Sequence, residues 1–249
     1  MNRRDGVVVI PTYNEIENIE RIIRTVFSLS IPFDILIVDD GSPDGTASVV
    51  RHLMNSDFKD RLFIIEREGK LGLGTAYITG FKWAISQKYN YIFEMDADFS
   101  HDPKDLLRLY ASCREEGYDM SIGSRYVSGV NVVNWPIGRV LMSYFASKYV
   151  NKVTGIPIHD TTAGFVCYKR EVLETIELDK IKFKGYAFQI EMKHTAYKIG
   201  FKIKEVPVIF VNRQQGTSKM SGGIFSEAFW GVMRLRLDGL FRNYPCIFR

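Results

Sequence analysis

Two aspartates separated by one small residue, Asp96 and Asp98 around Ala97, follow directly after a stretch typical of a strand. Residues 91–95 read YIFEM, and Pro103 is placed to begin a helix. The carboxylates therefore stand at the carboxyl end of a predicted strand, where an open α/β sheet binds its ligands. They can hold Mg²⁺ against a diphosphate, since Mg²⁺ is usually bound by one or two carboxylates and phosphate oxygens. A turn with a helix cap uses the same residue types, so the pattern alone leaves both interpretations open.

The elements that must position these aspartates alternate along the first two-fifths of the chain. Apolar runs predict strands, and apolar residues at helical spacing predict helices between them. This βαβ alternation predicts an α/β fold with a mainly parallel, doubly wound sheet flanked by helices. The predicted strands cover residues 6–10, 34–38, 61–66 and 91–95, and the clearest helices cover 16–27 and 72–87.

Polar residues suited to a nucleotide follow several of these strands. Tyr13 could stack on a base, and Glu15 could accept hydrogen bonds from the base or the ribose. Asp40 follows the second strand and offers a further acceptor, while Lys70 is placed to meet a phosphate or a base. Each residue alone is also typical of a solvated loop. Their recurrence at successive strand ends favours a nucleotide site.

Length and composition indicate a globular α/β protein. The 249 residues include 46% hydrophobic and 25% charged residues, enough for one large domain with a proper core. A net charge of +4 is too mild to favour nucleic acid, and none is expected as a partner. Cys113, Cys167 and Cys246 lack metal-ligand spacing and indicate reduced thiols in a cytoplasmic protein. Neither a signal peptide nor a transmembrane span is expected.

Several motifs resemble one family over nearly the whole chain, in the expected order. The motifs in the first half are residues 9–15 (VIPTYNE), 37–46 (IVDDGSPDGT), 72–76 (GLGTA) and 95–101 (MDADFSH). Those in the second half are 123–126 (GSRY), 160–165 (DTTAGF), 185–191 (GYAFQIE) and 213–220 (RQQGTSKM). With these motifs the chain resembles the inverting nucleotide-sugar glycosyltransferases with the GT-A fold, and most of all the dolichyl-phosphate or polyprenol-phosphate mannosyltransferases.

The resemblance implies transfer of mannose from GDP-mannose to a polyprenyl or dolichyl-type phosphate, giving a β-mannosyl lipid phosphate. It implies Mg²⁺ or Mn²⁺ as cofactor, with Asp98 the direct metal ligand and Asp96 and Glu191 near it. It also implies catalytic roles for Asp98, Arg213 and Lys219, the two cations meeting the leaving diphosphate. The implied nucleotide-sugar contacts are Pro11, Tyr13, Glu15, Val38, Asp40, Lys70, Asp96, Ala97, Asp98, Arg125, Gln189, Arg213 and Lys219. Arg125 and Arg139 are the candidates for the acceptor phosphate, because an Arg fork matches phosphate oxygens.

Two segments of the second half are predicted to be amphipathic helices with basic residues. One lies near residues 136–152, and the other is the C-terminal segment 222–249, which we separate from a catalytic domain at 1–221. Residues 213–221 look like a lid loop that could close over a diphosphate. Such helices fit peripheral association with a membrane surface, a small membrane-protein partner, or ordinary core packing.

Alternatives remain open at this stage. The motifs do not separate GDP-mannose from UDP-glucose or another hexosyl donor. Transfer to a saccharide hydroxyl would need a carboxylate base, for which Asp160 or Glu191 could serve. A phosphohydrolase is disfavoured, because its aspartate motif normally follows the first strand and here it follows the fourth. An inactive sugar-nucleotide binding module is disfavoured by the complete set of acidic and basic residues.

Overall fold

The computed structural model describes residues 4–183, 185, 187–212, 224–241 and 244, with the backbone alone for 224–228 and 238–241. The first half contains β1 (Gly6–Thr12), α1 (Ile19–Phe27), β2 (Asp34–Asp39), α2 (Thr46–Ser56), β3 (Leu62–Glu66), α3 (Leu73–Ser86), β4 (Tyr91–Glu94), α4 (Asp105–Arg114) and β5 (Met120–Ser124). The second half contains β6 (Val132–Val133), α5 (Ile137–Thr154), β7 (Val166–Lys169), α6 (Arg170–Thr175), a 3₁₀ turn (Leu178–Lys180), α7 (Ala187–Ile199), β8 (Ile203–Pro207), β9 (Phe210–Val211) and α8 (Ile224–Phe241).

Seven strands form one sheet in the order β3-β2-β1-β4-β7-β5-β8. Strand β7 runs antiparallel to both of its neighbours, and every other pair in this sheet is parallel. The prediction of a mainly parallel sheet is therefore confirmed. The carboxyl ends of β1, β2 and β4 meet at one edge, and the antiparallel β7 begins at that same edge.

Strand β1 shows why both faces of the sheet are covered. Val7 and Val9 point into one hydrophobic cluster, while Val8 and Ile10 point into the other, because successive side chains of a strand face opposite sides. All four are fully buried. Helix α3 packs against the first cluster, and α1 and α4 pack against the second. Burial on both faces explains the continuous apolar run in the sequence.

Helix α3 lies unusually close to β1 and β2. A Cβ atom built at Gly80 would overlap the side chain of Val9 and contact Leu36. A glycine at this position therefore allows the helix to approach the sheet. Gly74 of the same helix serves a different contact, since a Cβ atom there would overlap the ring of Phe188 on α7.

Helices α5 and α8 lie against each other, and α8 also contacts α7. Tyr149 of α5 stacks on Phe229 of α8 at 5.0 Å between ring centroids, and Val232 and Leu235 of α8 are buried in the first cluster. Both predicted amphipathic segments thus contain helices, while the division of the chain at residue 221 stays a prediction. Among the described residues, no helix combines the length and hydrophobicity that a transmembrane span needs.

Candidate active site

A cavity of about 740 Å³ opens at the edge of the sheet where β1, β2 and β4 end, and continues between α5 and α8. It brings together residues that are far apart in sequence, including most of the predicted site residues. Those that line it are Pro11, Tyr13, Glu15, Asp40, Lys70, Asp96, Ala97, Asp98, Arg125, Arg139 and Gln189.

The loops after β1 and β2 are fixed to each other by buried hydrogen bonds. Asp39 accepts from the hydroxyls of Thr12 (2.8 Å) and Ser42 (2.6 Å) and from the backbone N–H of Ser42. The backbone N–H of Asn14 in turn donates to the Ser42 hydroxyl. These bonds hold Tyr13 at the cavity, where the ammonium of Lys70 lies 5.2 Å from its ring centroid. The pair provides an aromatic face and a cation side by side.

Asp40 is held by an arginine that the sequence reasoning missed. The guanidinium of Arg67 donates from Nε to Asp40 Oδ1 (2.7 Å) and also bonds Thr75 and the carbonyl of Gly72. The Leu71 backbone N–H donates to the other carboxylate oxygen. Arg67 is the first residue after β3, so its position at a strand's carboxyl end was the available signal. These contacts hold Asp40 as an oriented acceptor.

Asp96 and Asp98 form an acidic corner of the cavity. The hydroxyl of the buried Tyr77 donates to Asp96 (3.4 Å), and Asp98 accepts from the backbone N–H of Ser100 (2.9 Å). Directly after Asp98 the chain turns through Phe99, which has a left-handed φ of 57°. A bulky residue rarely adopts this conformation. The Arg21 guanidinium, 3.9 Å from the Phe99 ring centroid, covers the ring outside the turn.

The donor set of this corner fits a hard divalent cation bound together with a ligand. Two carboxylates line the cavity at one strand end, and the described residues contain no cluster of three or more His, Cys, Asp or Glu side chains suited to a metal. Mg²⁺ and related ions are commonly held by one or two carboxylates, with substrate phosphates and water completing the shell. Asp98, with Asp96 beside it, would hold such an ion.

Arg125 and Arg139 both lie close to the ring of Trp135. The Arg125 guanidinium bonds Asp160 through Nε (2.7 Å) and Nη2 (2.6 Å), and Nη2 also donates to Thr162. Although burial opposes ionisation, the Arg125 charge and hydrogen bonds hold the pKa of Asp160 below its ordinary value. Arg139 lies 4.0 Å from the Trp135 ring and donates to Asn212 (3.0 Å). The cavity thus has two oriented guanidinium groups near its middle.

Gln189, in the first turn of α7, connects the cavity to two buried charges. Its amide nitrogen donates to Glu94 (2.6 Å), and its amide oxygen accepts from Lys193 (3.2 Å). Glu94 also accepts from the Tyr168 hydroxyl (3.0 Å). Burial raises the pKa of Glu94 to about 7 and lowers that of Lys193 to about 8. Sequence reasoning identified Gln189 and missed both charged partners.

The far end of the cavity is apolar. Helix α5 contributes Met142, Phe145, Ala146 and Tyr149, and α8 contributes Phe229. Several neighbouring apolar side chains on these helices face outward; Ile137 is 72% exposed and Trp230 is 69% exposed. The cavity therefore passes from a polar end on the sheet to an apolar end between two helices.

Two predicted site residues are placed elsewhere. The side chain of Val38 is fully buried in the first hydrophobic cluster and does not line the cavity. Glu191 is also buried, and its carboxylate accepts from the backbone N–H groups of Lys182 (2.8 Å) and Phe183 (3.0 Å). It does not line the cavity, and its predicted place beside the metal stays a prediction. Residues two apart on a helix face different directions, and Gln189 is the one that faces the cavity.

Arg213, Lys219 and the predicted lid loop lie outside the described residues, so their roles stay predictions. His101, the last residue of the 95–101 motif, is buried and lines the cavity. Its ring stacks on Phe165 at 4.7 Å and meets the edge of Phe210 at 4.9 Å. Burial lowers the pKa of His101 to about 4, so the ring is neutral near neutral pH.

Comparison with known proteins gives matches along most of the chain. The sequence profile described as Glycosyl transferase family 2 matches residues 7–177. A polyprenol monophosphomannose synthase of Mycolicibacterium smegmatis is 46% identical over 237 residues, covering 93% of this chain and 88% of the relative. An undecaprenyl-phosphate mannosyltransferase of Micrococcus luteus is 42% identical over 228 residues, covering 92% of each chain.

Solved structures show the same fold at low sequence identity. A mannosyltransferase from Pyrobaculum calidifontis in complex with GDP-Man and Mn²⁺ has a TM-score of 0.62 and 19% identity, over 98% of this chain and 66% of that chain. Glucosyl-3-phosphoglycerate synthase from Mycobacterium tuberculosis, in complex with Mn²⁺, UDP-glucose and phosphoglyceric acid, has a TM-score of 0.66 and 17% identity, over 95% and 80%. These likenesses confirm the predicted GT-A fold.

Proposed function

We propose that this chain, which belongs to glycosyl transferase family 2 and is a glycosyltransferase, moves mannose from GDP-mannose to a polyprenyl phosphate of the dolichyl type. The resemblance expected from the motifs is confirmed by relatives named as polyprenyl-phosphate mannosyltransferases. The observation that carries the proposal is that one continuous cavity has a polar end, an apolar end and two arginines between them. A sugar nucleotide fits the first end and a lipid phosphate fits the second.

The polar end is suited to the nucleoside part of the donor. Tyr13 presents a ring to a base, and Glu15 and Asp40 present acceptors to base or ribose N–H and O–H groups. Arg67 and the Leu71 N–H orient the Asp40 carboxylate before a ligand arrives. Such preorganisation lowers the entropy cost of binding.

The acidic corner is suited to the diphosphate. Asp98, with Asp96 beside it, would hold Mg²⁺ or Mn²⁺, which when bound neutralises charge that develops on the departing diphosphate. Arg213 and Lys219 are proposed to add positive charge from the lid. Lys70 lies at the same cavity and is a further candidate for the phosphates.

The reaction we propose is a single displacement. An oxygen of the lipid phosphate attacks the anomeric carbon as the bond from that carbon to the GDP oxygen breaks, so GDP leaves and the mannosyl linkage becomes β. A phosphate monoester with a second pKa near 6 is largely ionised at neutral pH and needs no strong base. Arg125 and Arg139 would orient the acceptor phosphate for this attack.

The geometry disfavours transfer to a saccharide hydroxyl. Asp160 and Glu191 were the carboxylates that could act as its general base. Asp160 is fully buried and paired with Arg125, which keeps its pKa low, and it does not line the cavity. Glu191 is bonded to backbone N–H groups outside the cavity. Neither carboxylate is placed to take a proton from an acceptor there.

The apolar end supports peripheral association with a membrane surface on the cytoplasmic side. Helix α5 (Ile137–Thr154) contains the cations Arg139, Lys148 and Lys152 and no acidic residue, while the sequence of α8 contains Arg234 and Arg236 against Glu227 and Asp238. Outward-facing Ile137, Phe145 and Trp230 lie on the same two helices. Apolar side chains with a basic surround fit an anionic lipid interface. A small membrane-protein partner would compete for this surface.

Transfer assays with the purified chain test the proposal. GDP-mannose and a short-chain polyprenyl phosphate are incubated with Mn²⁺, with Mg²⁺ and with a chelator, and the mannosyl lipid phosphate is measured. We expect product from GDP-mannose with either metal and none with the chelator. Product from UDP-glucose alone would contradict the donor, and product on an oligosaccharide alone would contradict the acceptor. Phosphate-ester hydrolysis without any sugar nucleotide would contradict the reaction class.

A further inference from the structure

Three buried side chains at the floor of the cavity form a chain of hydrogen bonds in which each donor and each acceptor is fixed. Glu94, Gln189 and Lys193 are each 2% exposed or less, and Gln189 is the member that lines the cavity. Glu94 ends β4, while Gln189 and Lys193 lie four residues apart on the same face of α7. The two charges are not in direct contact, because the Gln189 amide lies between them.

The chemistry of the partners fixes which way the amide points. An ammonium only donates hydrogen bonds, and Lys193 meets the Gln189 amide directly. The amide nitrogen must therefore face Glu94, and the amide oxygen must face Lys193. Lys193 is itself anchored by the carbonyls of Ala163 (2.6 Å) and Gln189 (3.3 Å).

The oriented amide keeps capacity for a ligand. Its nitrogen has two hydrogens, of which Glu94 takes one, and its oxygen has two lone pairs, of which Lys193 uses one. Hydroxyl groups both donate and accept, so they match one remaining N–H and one remaining lone pair. A sugar carries such hydroxyls on neighbouring carbons.

The strand order places this amide beyond the acidic corner from the nucleotide loops. Asp40 follows β2, Tyr13 and Glu15 follow β1, and Asp96 and Asp98 follow β4. Gly164 lines the cavity just before β7. A Cβ atom built at Gly164 would lie 3.5 Å from the Gln189 amide nitrogen, so the two residues are neighbours. In a sugar nucleotide the sugar lies on the far side of the diphosphate from the nucleoside.

We propose that Glu94 and Lys193 are positioning residues that fix the Gln189 amide in the orientation that binds the hydroxyls of the transferred sugar. The inference rests on the proposed function and deepens it, since it makes the Gln189 amide the group that binds the sugar. Glu94 and Lys193 act on the sugar only through this amide. Nearby, Arg125 and Asp160 form a second buried ion pair. In this proposal the sugar is bound by a neutral amide that buried charged groups hold in place.

Calorimetric titration of Lys193→Met with GDP and with GDP-mannose tests this role. GDP lacks the sugar and GDP-mannose has it, so the ratio of their dissociation constants isolates the sugar contacts. We expect Lys193→Met to weaken GDP-mannose about tenfold, the scale of hydrogen bonds lost from an oriented group, and to leave GDP within about twofold. A purely structural role would weaken both ligands equally, and that result, or no change in either, would overturn the inference.

The double variant Glu94→Gln/Lys193→Met separates orientation from stability. It removes both buried charges, so its melting temperature should exceed that of Lys193→Met, which leaves Glu94 without its cation. The glutamine side chain at residue 94 can both donate to and accept from the Gln189 amide, so it does not fix the orientation of that amide. The change in the ratio of the GDP and GDP-mannose dissociation constants should therefore persist. Recovery of the ratio of the unmodified chain in the double variant would overturn the inference. If Lys193→Met does not fold, this variant decides the question.

Lys169→Met is the matched control. Lys169 ends β7 at the opposite edge of the sheet and pairs with Asp119 at 3.2 Å. Both dissociation constants should equal those of the unmodified chain; a loss of sugar preference here would overturn the assignment to Lys193. Failure of the unmodified chain to bind GDP-mannose would instead contradict the proposed function, so the two failures are distinguishable.

Discussion

The two ends of the cavity are built in opposite ways. At the polar end, charged groups are held by partners: Asp40 by Arg67, and Asp39 by Thr12 and Ser42. At the apolar end, α5 buries only Ser147, Val150 and Thr154 among its 18 residues, and large apolar side chains face outward. The polar end is thus complete within the chain, whereas the apolar end presents surface that a lipid phase or a partner would cover. A small polar donor needs a preformed site, and a long lipid needs access from its own phase.

The strongest test of the polar end is Asp98→Ala. We expect transfer to fall by at least about a thousandfold, because charge on the diphosphate would lose its main stabilisation. The melting temperature should remain close to that of the unmodified chain. Asp102→Ala, an exposed carboxylate four residues along that does not line the cavity, is the control and should keep transfer. Full turnover of Asp98→Ala with metal would place the metal site elsewhere.

The junction between the two ends is tested by Asp160→Ala. This change leaves the Arg125 guanidinium buried without its carboxylate, and we expect a loss of about 3 kcal/mol in the free energy of unfolding. Because the folded pKa of Asp160 lies below the ordinary 3.8, its contribution is present above that pH and is lost as the pH falls further. Urea unfolding of both proteins at pH 7 and at low pH measures this. An equal gap at both pH values would show that the carboxylate charge is not responsible.

The apolar end is tested by the pair Phe145→Ser and Trp230→Ser. Removing two outward-facing aromatics should weaken sedimentation with anionic vesicles about tenfold or more, given the free energy of burying such side chains. The dissociation constant of GDP should stay unchanged. Ile209→Ser removes an apolar side chain that is 59% exposed outside these helices and serves as the control. Unchanged vesicle binding in the pair would favour a protein partner or a different membrane surface.

Arg67→Met sharpens the comparison within the polar end. Asp40 would lose the cation that orients it, and we expect GDP and GDP-mannose to bind about fivefold more weakly, both by the same factor. Transfer to a soluble short-chain acceptor at saturating donor should change little. Calorimetry with both ligands gives the factors. A selective loss of GDP-mannose would show that Arg67 acts on the sugar and not on the nucleoside.

The first four strands and their loops were predictable because each is encoded locally. Apolar runs mark strands buried on both faces, and polar residues follow them at the ligand edge. The insertion of β7 between β4 and β5 was not predictable, since it joins segments distant in sequence. Periodicity says nothing about which strands become neighbours.

The residues of the candidate site that lie on loops after strands were predictable from the sequence. Those that lie inside a strand or a helix were less predictable. Glu94 interrupts an apolar strand, and Lys193 lies four residues after Gln189 on α7, yet neither fact alone indicates a partner. Glu94 and Lys193 come to the same amide only when α7 packs against β4 in the folded chain. The same geometry turns Glu191, two residues from Gln189, to another side of the helix and away from the cavity.

The place of helix α8 in the chain has a consequence for the choice of acceptor. It supplies Phe229 to the cavity but lies beyond residues 7–177, the part matched by the family profile. In the proposed function, the helix that would meet the acceptor is thus separate in sequence from the strands that would shape the donor pocket. We therefore expect exchange of this one helix for that of a relative to alter which lipid is used while the choice of activated sugar stays the same.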